Sequence, residues 1–457
     1  MTRNLVVEAL FDIDPVTYDL APSLAEKWSE ADEHHVTTLT LRRGLHFHDG
    51  SDFSSKDVMA VLDAVKDPER NTGAARAELE ELTGWKALDD FTLELRWRNP
   101  SPFNFRALAR LPMLSATALA AKDWASLAAK PMGTGPYVIE AWERGKSLTL
   151  RRVAEQGAYL DTIVFRFVKD HLVATGLFER GELDVLTNVQ PGVWKALEQS
   201  PLAIAQYVRL KGIDNSYSYI AWNEAVPALA DVRVRRALGH LYPVQAIEKM
   251  VDLGLEQPTT CPFWAPSASC DSAVKPIGFS PQLARSELLD AGFGALSLHF
   301  LMPATSVRLA KVTPLLQEQF QKAGAELIIE TVDISQMAAR VNARDFEVVS
   351  RVWTELDAVQ DQYTTFHSSQ IDAGANFVRY SSREADQLME AIRREWELPK
   401  RQALERQLHR RLYEDQPYFF MTSRSSLDLA KRTVHGLKPS PLWYDLRRVW
   451  VEAPSKP

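Results

Sequence analysis

The chain has 457 residues, 46% of them hydrophobic and 25% charged, with a formal net charge of −7; this is globular composition, too long for one compact core, so at least two lobes are expected. No dense Lys/Arg run accompanies the acidic balance, so the phosphate-backbone footprint is missing and no nucleic acid is expected as a partner. No window approaches the roughly 20 consecutive apolar residues of a membrane-spanning helix.

The start, MTRNLVVEALFDIDP, has no charged-then-apolar run ending in small residues, so either the protein is cytosolic or the sequence begins downstream of its signal. Residues 41–58, LRRGLHFHDGSDFSSKDV, concentrate ionisable groups. Asp49-Gly50 predicts a turn, because Gly accepts positive φ, and Ser54 with Asp57 predicts a reciprocally capped helix start. His46 and His48 would share a strand face, a spacing a metal site could use, but no third ligand of suitable spacing follows. A polar strand face is the stronger reading, and no metal is expected.

Alternation then marks strands at Leu93 and Leu95 (FTLELRW), at Leu148 and Leu150 (KSLTLRRV), and at Ile163, Phe165 and Phe167 (DTIVFRFV). Between them PMGTGPY (131–137) is a candidate crossing between lobes; it lacks the Lys and helix start of a phosphate-cradling loop. LFERGELDVLTNV near 177 and RVNARDFEVVSRVW near 340 both run helix, polar turn, apolar strand, which suggests two α/β lobes of similar build. A second crossing is expected at NEAVPALAD (223–231).

Cys261 and Cys270, the only cysteines, bracket one proline-rich loop. In an oxidising compartment they would close a loop disulfide; in the cytosol they would be two thiols. Helical stripes follow at Leu309, Val312, Leu316 and Phe320, stopping at Gly324, then at Ala385, Leu388, Ile392 and Trp396, then at Leu404, Leu408 and Leu412. His367-Ser368-Ser369 sets a histidine beside hydroxyls, but adjacency is not triad geometry. No nucleophile elbow is present, and no enzyme is indicated. The amphipathic aromatics are abundant, with 12 Trp and 12 Tyr; Tyr217, Tyr219, Trp222, Trp353 and Tyr363 near predicted strand ends suit a ligand cleft.

With these pieces placed, the sequence resembles the family 5 extracellular solute-binding proteins, the oligopeptide-, dipeptide- and nickel-binding group of ABC importers. The carrying residues are LAPSLAEKWSEADE (20–33), TLTLRRGLHFHDGSDFSSKDV (38–58), PMGTGPYVIEAWERGKSLTLRR (131–152), FERGELDVL (178–186), ADVRVRRAL (230–238), AELIIETVDISQM, FHSSQIDAGANFVRYSSREADQLMEAIRRE and EDQPYFFM. They occur in family order along almost the full chain. The resemblance implies an α/β fold, periplasmic-binding-protein-like (type II, cluster C), with two α/β lobes around a ligand cleft plus an inserted α+β domain. Lobe I would comprise 1–14, 132–225 and 431–457, the inserted domain 15–131, and lobe III 226–430.

For peptide-binding members the resemblance implies an aspartate, shortly after a strand-end tryptophan, that anchors the peptide's α-amino group. In SRVWTELDAVQDQY the tryptophan is Trp353, but the position of the acid holds Leu356, flanked by Glu355 and Asp357. A slip of one residue would bring Asp357 into place. Arg351 on the same stretch, and Tyr219, Trp222 and Asn223, complete the expected ligand-binding set. Family members also carry a signal or lipoprotein segment and a first strand before the region matched by NLVVEALFDIDP, so a truncated start is expected here.

The expected function is an extracytoplasmic or periplasmic substrate-binding protein, monomeric and without cofactor, that binds peptides between two lobes and delivers them to an ABC permease. The alternatives are a nickel chelate, haem or oligosaccharide as ligand, a ligand-sensing domain of a regulator, and, least favoured, a hydrolase using His367 and Ser368.

Overall fold

The computed structural model describes residues 4–452 except 16, 71, 122–123, 154–157, 355–356, 358 and 441–443. Two units emerge: one of residues 1–187, 205–210 and 428–457, the other of 188–204 and 211–427. Both are mixed α/β.

In the first unit, a short antiparallel pair of strands (Phe11–Ile13 and Leu20–Pro22) is followed by strands β1 (Ala25–Ala31) and β2 (Val36–Leu41), helix α1 (Ser55–Lys66), and strands β3 (Leu82–Asp89) and β4 (Thr92–Trp97). The strands form an antiparallel sheet in the order β1-β2-β4-β3. Leu39, Leu41, Leu93, Leu95 and Trp97 alternate onto its buried face, as the period of two demands. α1 buries Val58, Val61, Leu62 and Val65 at helical spacing. Its start is fixed by Asp57, whose carboxylate accepts the Ser54 N–H at 2.9 Å. The same carboxylate accepts the N–H of Ala116, at the head of a second short helix, at 2.8 Å, so one buried acid begins two helices.

A second antiparallel sheet follows, made of β5 (Tyr137–Glu143), β6 (Ser147–Arg152) and β7 (Thr162–Arg166). Its core of Tyr137, Ile139, Leu148, Leu150 and Ile163 packs on Leu5, Val6 and Val7. The GTGPY segment makes that contact possible. Gly135 N–H and Tyr137 N–H donate to the carbonyls of Val6 (3.1 Å) and Leu5 (2.8 Å). A Cβ on Gly133 would sit 1.9 Å from the Val6 carbonyl oxygen, and one on Gly135 2.5 Å from that of Leu5. The glycines therefore answer a close backbone passage.

The two histidines of the 41–58 stretch have separate partners. His48 Nε2 bonds the Gly135 carbonyl (2.8 Å) and His48 Nδ1 accepts the Gly133 N–H (3.3 Å), while His46 Nδ1 pairs with exposed Asp52 at 2.8 Å. Asp49 closes the predicted turn, accepting from the Ser51 N–H (2.9 Å) and hydroxyl (2.6 Å), with Gly50 at φ 84°. The unit continues through helix α2 (His171–Glu179) to strand β8 (Val185–Leu186).

Strand β9 (Tyr207–Trp222) carries the chain into the second unit, where β10 (Leu296–Pro303), α3 (Val307–Ala323), β11 (Ala325–Val332), α4 (Ile334–Asn342), β12 (Val348–Thr354), α5 (Arg383–Arg394) and α6 (Leu398–Asp415) follow. Strand β13 (Tyr418–Lys431) leads back out. The sheet order is β8-β13-β9-β12-β10-β11, with β10 parallel to both β11 and β12 and β9 antiparallel to β12. The predicted stripe of α3 is buried at Leu309, Val312, Leu316 and Phe320 and ends at Gly324 with φ 81°. Trp396 lies beyond the end of α5, which instead buries Ala385, Met389 and Ile392.

The two helix-turn-strand segments share their turn. After α2, Gly181 (φ 78°) lets Glu182 N–H reach the Leu177 carbonyl (2.9 Å); after α4, Arg344 (φ 59°) lets Asp345 N–H reach that of Arg340 (2.8 Å). Each closes its helix with a left-handed residue and a bond back over five positions.

Replacing Gly133 by Ala is expected to cost at least about 3 kcal/mol, because the clashing atom is backbone and cannot rotate away. Gly192→Ala, where a Cβ meets nothing within 4 Å, should be neutral or slightly stabilising. Chemical denaturation of both variants checks this.

Candidate ligand-binding face

The antiparallel register of β9 and β12 places Tyr217 opposite Trp353 and Tyr219 opposite Arg351. Side chains two apart on a strand share a face, so Tyr217, Tyr219, Arg351 and Trp353 lie together. Tyr219 stacks on Trp353 (6.5 Å, 13°) and on Tyr418 of β13 (4.2 Å, 16°). Tyr418 in turn stacks on Phe377 (5.8 Å, 26°) and meets Phe366 edge-on (4.9 Å). The Arg351 guanidinium lies 5.5 Å from the Phe377 centroid. Tyr219 and Tyr418 are fully buried, while Trp353 and Arg351 are half-buried at the rim of the stack. Burial pushes the Tyr418 phenol far above its usual range; the neighbouring Tyr219 raises it further and the Trp353 indole N–H opposes.

Asp357 follows β12 and is buried. Its carboxylate accepts the Val359 N–H (3.1 Å), and its carbonyl accepts from the Asn215 amide. Asn215 Oδ1 accepts from Gln360 Nε2 at 2.9 Å, and Gln362 Nε2 donates to the Pro262 carbonyl at 2.9 Å. Buried amides thus fix the loop that carries Asp357. Glu355 lies outside the described residues.

The other expected site residues are elsewhere. Trp222 points to the opposite side of β9, into the core with Phe300, Leu316 and Val348. Asn223 is a bracket: its Nδ2 donates to the carbonyls of Arg344 (3.2 Å) and Phe346 (2.7 Å), and its Oδ1 accepts the Ala225 N–H (3.1 Å). His367 and Ser368 do not form a pair. His367 Nδ1 bonds the Ser369 hydroxyl (2.8 Å), whereas the Ser368 hydroxyl donates to Asp386 (2.5 Å).

Several residues of the face went unnoticed in the sequence. Tyr418 and Phe377 sit inside EDQPYFFM and GANFVRY, segments that carried the family resemblance, yet no periodicity marks them as ring partners. Asn376 is fully buried; its Nδ2 donates to the carbonyls of Phe366, His367 and Tyr380 (3.3, 3.1 and 2.8 Å), and its Oδ1 accepts the Tyr380 N–H (3.0 Å). It folds the loop that holds Phe366 and Phe377 against Tyr418.

The chain matches the bacterial extracellular solute-binding proteins, family 5 Middle, over residues 19–373. It belongs to that family. Among curated relatives, the oligopeptide-binding protein AppA of Bacillus subtilis is 26% identical across 94% of this chain and 83% of its own length. The glutathione-binding protein GsiB of Salmonella choleraesuis is 28% identical over 70% of this chain, a match that spans 63% of that relative. Among solved structures, AppA from B. subtilis in complex with a nonapeptide superposes with a TM-score of 0.81 at 23% identity, covering 98% of this chain and 94% of that one. The ABC transporter-associated periplasmic binding protein DppA of Helicobacter pylori, in complex with the peptide STSA, gives 0.84 at 22% identity, covering 98% and 92%. The fold is therefore the α/β periplasmic-binding-protein fold. This family is one of substrate-binding transport proteins, working outside the cytoplasm with ABC permeases, and not an enzyme family. Among the described residues no helix is long and apolar enough to cross a membrane.

In this family 5 protein, two largely buried ionisable groups of the second unit have their protonation displaced by burial. Cys261 and Cys270 form a disulfide, Cα–Cα 5.8 Å, and His409 of α6 grips both ends of that loop. Its Nε2 donates to the Thr260 carbonyl (3.0 Å) and its Nδ1 accepts the Asp271 N–H (3.0 Å). Burial holds the imidazole down to about 4, against an ordinary 6.5. Glu224 lies 3.4 Å from buried Arg235, which also donates to the carbonyls of Asp415 and Leu229. Burial pushes the Glu224 carboxyl up to about 7 from an ordinary 4.5, against the pull of Arg235.

The two groups give opposite pH slopes. The fold binds the Glu224 proton more tightly than the unfolded chain does, so this group lowers stability as pH rises from about 4.5 to about 7. It binds the His409 proton less tightly, so that group lowers stability as pH falls from about 6.5 to about 4. Each effect is worth about 3 kcal/mol across its window, and between pH 4.5 and 6.5 they offset each other. Denaturation midpoints against pH should show Glu224→Gln gaining stability with rising pH in that window, and His409→Gln losing it.

Proposed function

We propose that this protein captures short peptides outside the cytoplasm and passes them to the permease of an ABC importer. The observation that carries this is the family match together with the similarity to AppA across 94% of the chain. The aromatic face supports it: Trp353, half-buried and backed by the buried Tyr219 ring, offers flat, amphipathic surface that tolerates varied side chains, while main-chain hydrogen bonds hold the peptide. Asp357 is the anchor of the peptide's α-amino group, one residue beyond the family position that Leu356 occupies here. Its buried setting strengthens a charge-assisted hydrogen bond. Trp222 and Asn223 support the site from the core side rather than touching the ligand. The protein works as a monomer, with residues 15–131 as an inserted domain beside lobes at 1–14, 132–225 and 431–457, and at 226–430.

Calorimetry with unmodified dipeptides to pentapeptides should give dissociation constants around 1 µM or tighter. N-acetylation, or Asp357→Asn, should weaken binding by about tenfold to a hundredfold through loss of a charged hydrogen bond. No binding of any peptide would overturn the reading; binding indifferent to acetylation would remove Asp357 as the anchor.

A further inference from the structure

The disulfide loop reaches the segment of Asp357 from two sides. Gln362, at the far end of that segment, donates from Nε2 to the carbonyl of Pro262, the residue after Cys261, at 2.9 Å. The indole N–H of Trp264 donates to the carbonyl of Ile213 at 3.4 Å. Ile213 lies two residues before Asn215 on β9, and Asn215 holds both the Asp357 carbonyl and the Gln360 amide. One short loop therefore braces residues 357–362 at both ends, at the start through β9 and at the end directly.

The covalent bond decides how firmly the loop does so. The Ala268 carbonyl accepts from Arg406 (2.8 Å), the Ser269 hydroxyl donates to Glu405 (2.5 Å) and the Asp271 N–H donates to His409 (3.0 Å), so the later half of the loop is held on α6 whatever the state of the cysteines. Two linked turns run back from it, with the Cys270 N–H on the Ser267 carbonyl (3.1 Å) and the Ser267 N–H on that of Trp264 (2.8 Å). The disulfide ties this anchored half to Cys261, beside Pro262 and three residues before Trp264. Opening a small loop returns conformational freedom to the residues it encloses, and here these include both braces. Cys270 is half-buried, so a thiol reaches its sulfur, whereas Cys261 is buried. By thiol–disulfide exchange the two Cys thiols pass two electrons and two protons to a disulfide oxidant, which leaves as a dithiol while the Cys261–Cys270 bond forms; a dithiol reductant reverses the exchange. Resting on the peptide-binding reading above, we propose that the Cys261–Cys270 bond is a redox switch on the binding site. Closed in an oxidising compartment, it presets the Asp357 segment and lowers the ordering cost of binding; open, it leaves that segment slack, so binding competence follows export.

The test is calorimetry with Ala-Ala-Ala on the oxidised protein and on the protein reduced with dithiothreitol, beside hydrogen–deuterium exchange over residues 357–363 without peptide. Reduction should weaken binding about tenfold and speed exchange in that segment, while thermal unfolding shows the reduced chain still folded at the assay temperature. The double variant Cys261→Ser with Cys270→Ser should match the reduced protein and be indifferent to dithiothreitol. In the oxidised protein Trp264→Phe, which keeps a ring but loses the indole N–H, should weaken binding about threefold; should the chain lacking the disulfide fail to fold, this variant decides, and an undiminished affinity in it overturns the switch. Equal affinity in the two redox states of the folded protein, or unchanged exchange, overturns the switch and leaves peptide binding standing. Should the oxidised protein bind no peptide, the peptide reading falls, and the exchange measurement alone then decides whether the disulfide braces the segment.

Discussion

The candidate site depends on the stacking of Tyr418 against Tyr219 at 4.2 Å. That contact joins the face of β13 to that of β9, and each ring passes the packing on: Tyr219 to Trp353, Tyr418 to Phe377 and Phe366. Buried ring pairs contribute about 0.5–1.5 kcal/mol each beyond their area, so the linked stack supplies a stiff floor. Trp353 and Arg351 are thereby oriented by neighbours rather than by their own rotamer preferences. Preorganisation of this kind lowers the ordering cost of binding.

Around that floor, buried polar groups do the positioning that apolar packing cannot. Asn376 closes the loop that delivers Phe366 and Phe377, and Asn215 with Gln360 holds the segment of Asp357. The disulfide loop between Cys261 and Cys270 is tied at both ends to His409 and, next to Cys261, to Gln362. Each amide has donors and an acceptor to place, and the bonds these amides do make leave few alternative loop conformations.

Much of the architecture was legible from local pattern. The capped start at Ser54 and Asp57, the Asp49-Gly50 turn, the α3 stripe ending at Gly324, and the alternating leucines of β4 and β6 are short-range features, and local rules carry them. The repeated helix-turn-strand was readable too, down to its polar turn, although Arg344 rather than glycine takes the left-handed position in the second copy. The site was less legible because its parts come from distant segments. Tyr219 and Trp353 could be named as aromatics near strand ends, but Trp222, three residues on, belongs to the other face and to the core. Strand ends and parity decide that, and the aromatic character of a residue does not. Gly133 and Gly135 read as a lobe crossing; their need for glycine comes from the N-terminal segment passing over them, a contact that no local rule shows.

The central claim is that this face receives peptides. Its most direct test is native mass spectrometry of the protein purified, without added ligand, from cells that export it, followed by sequencing of whatever dissociates. A spread of adduct masses that resolves into short peptides with free N-termini is the predicted result. A single non-peptide adduct, displaced by no peptide, would contradict it.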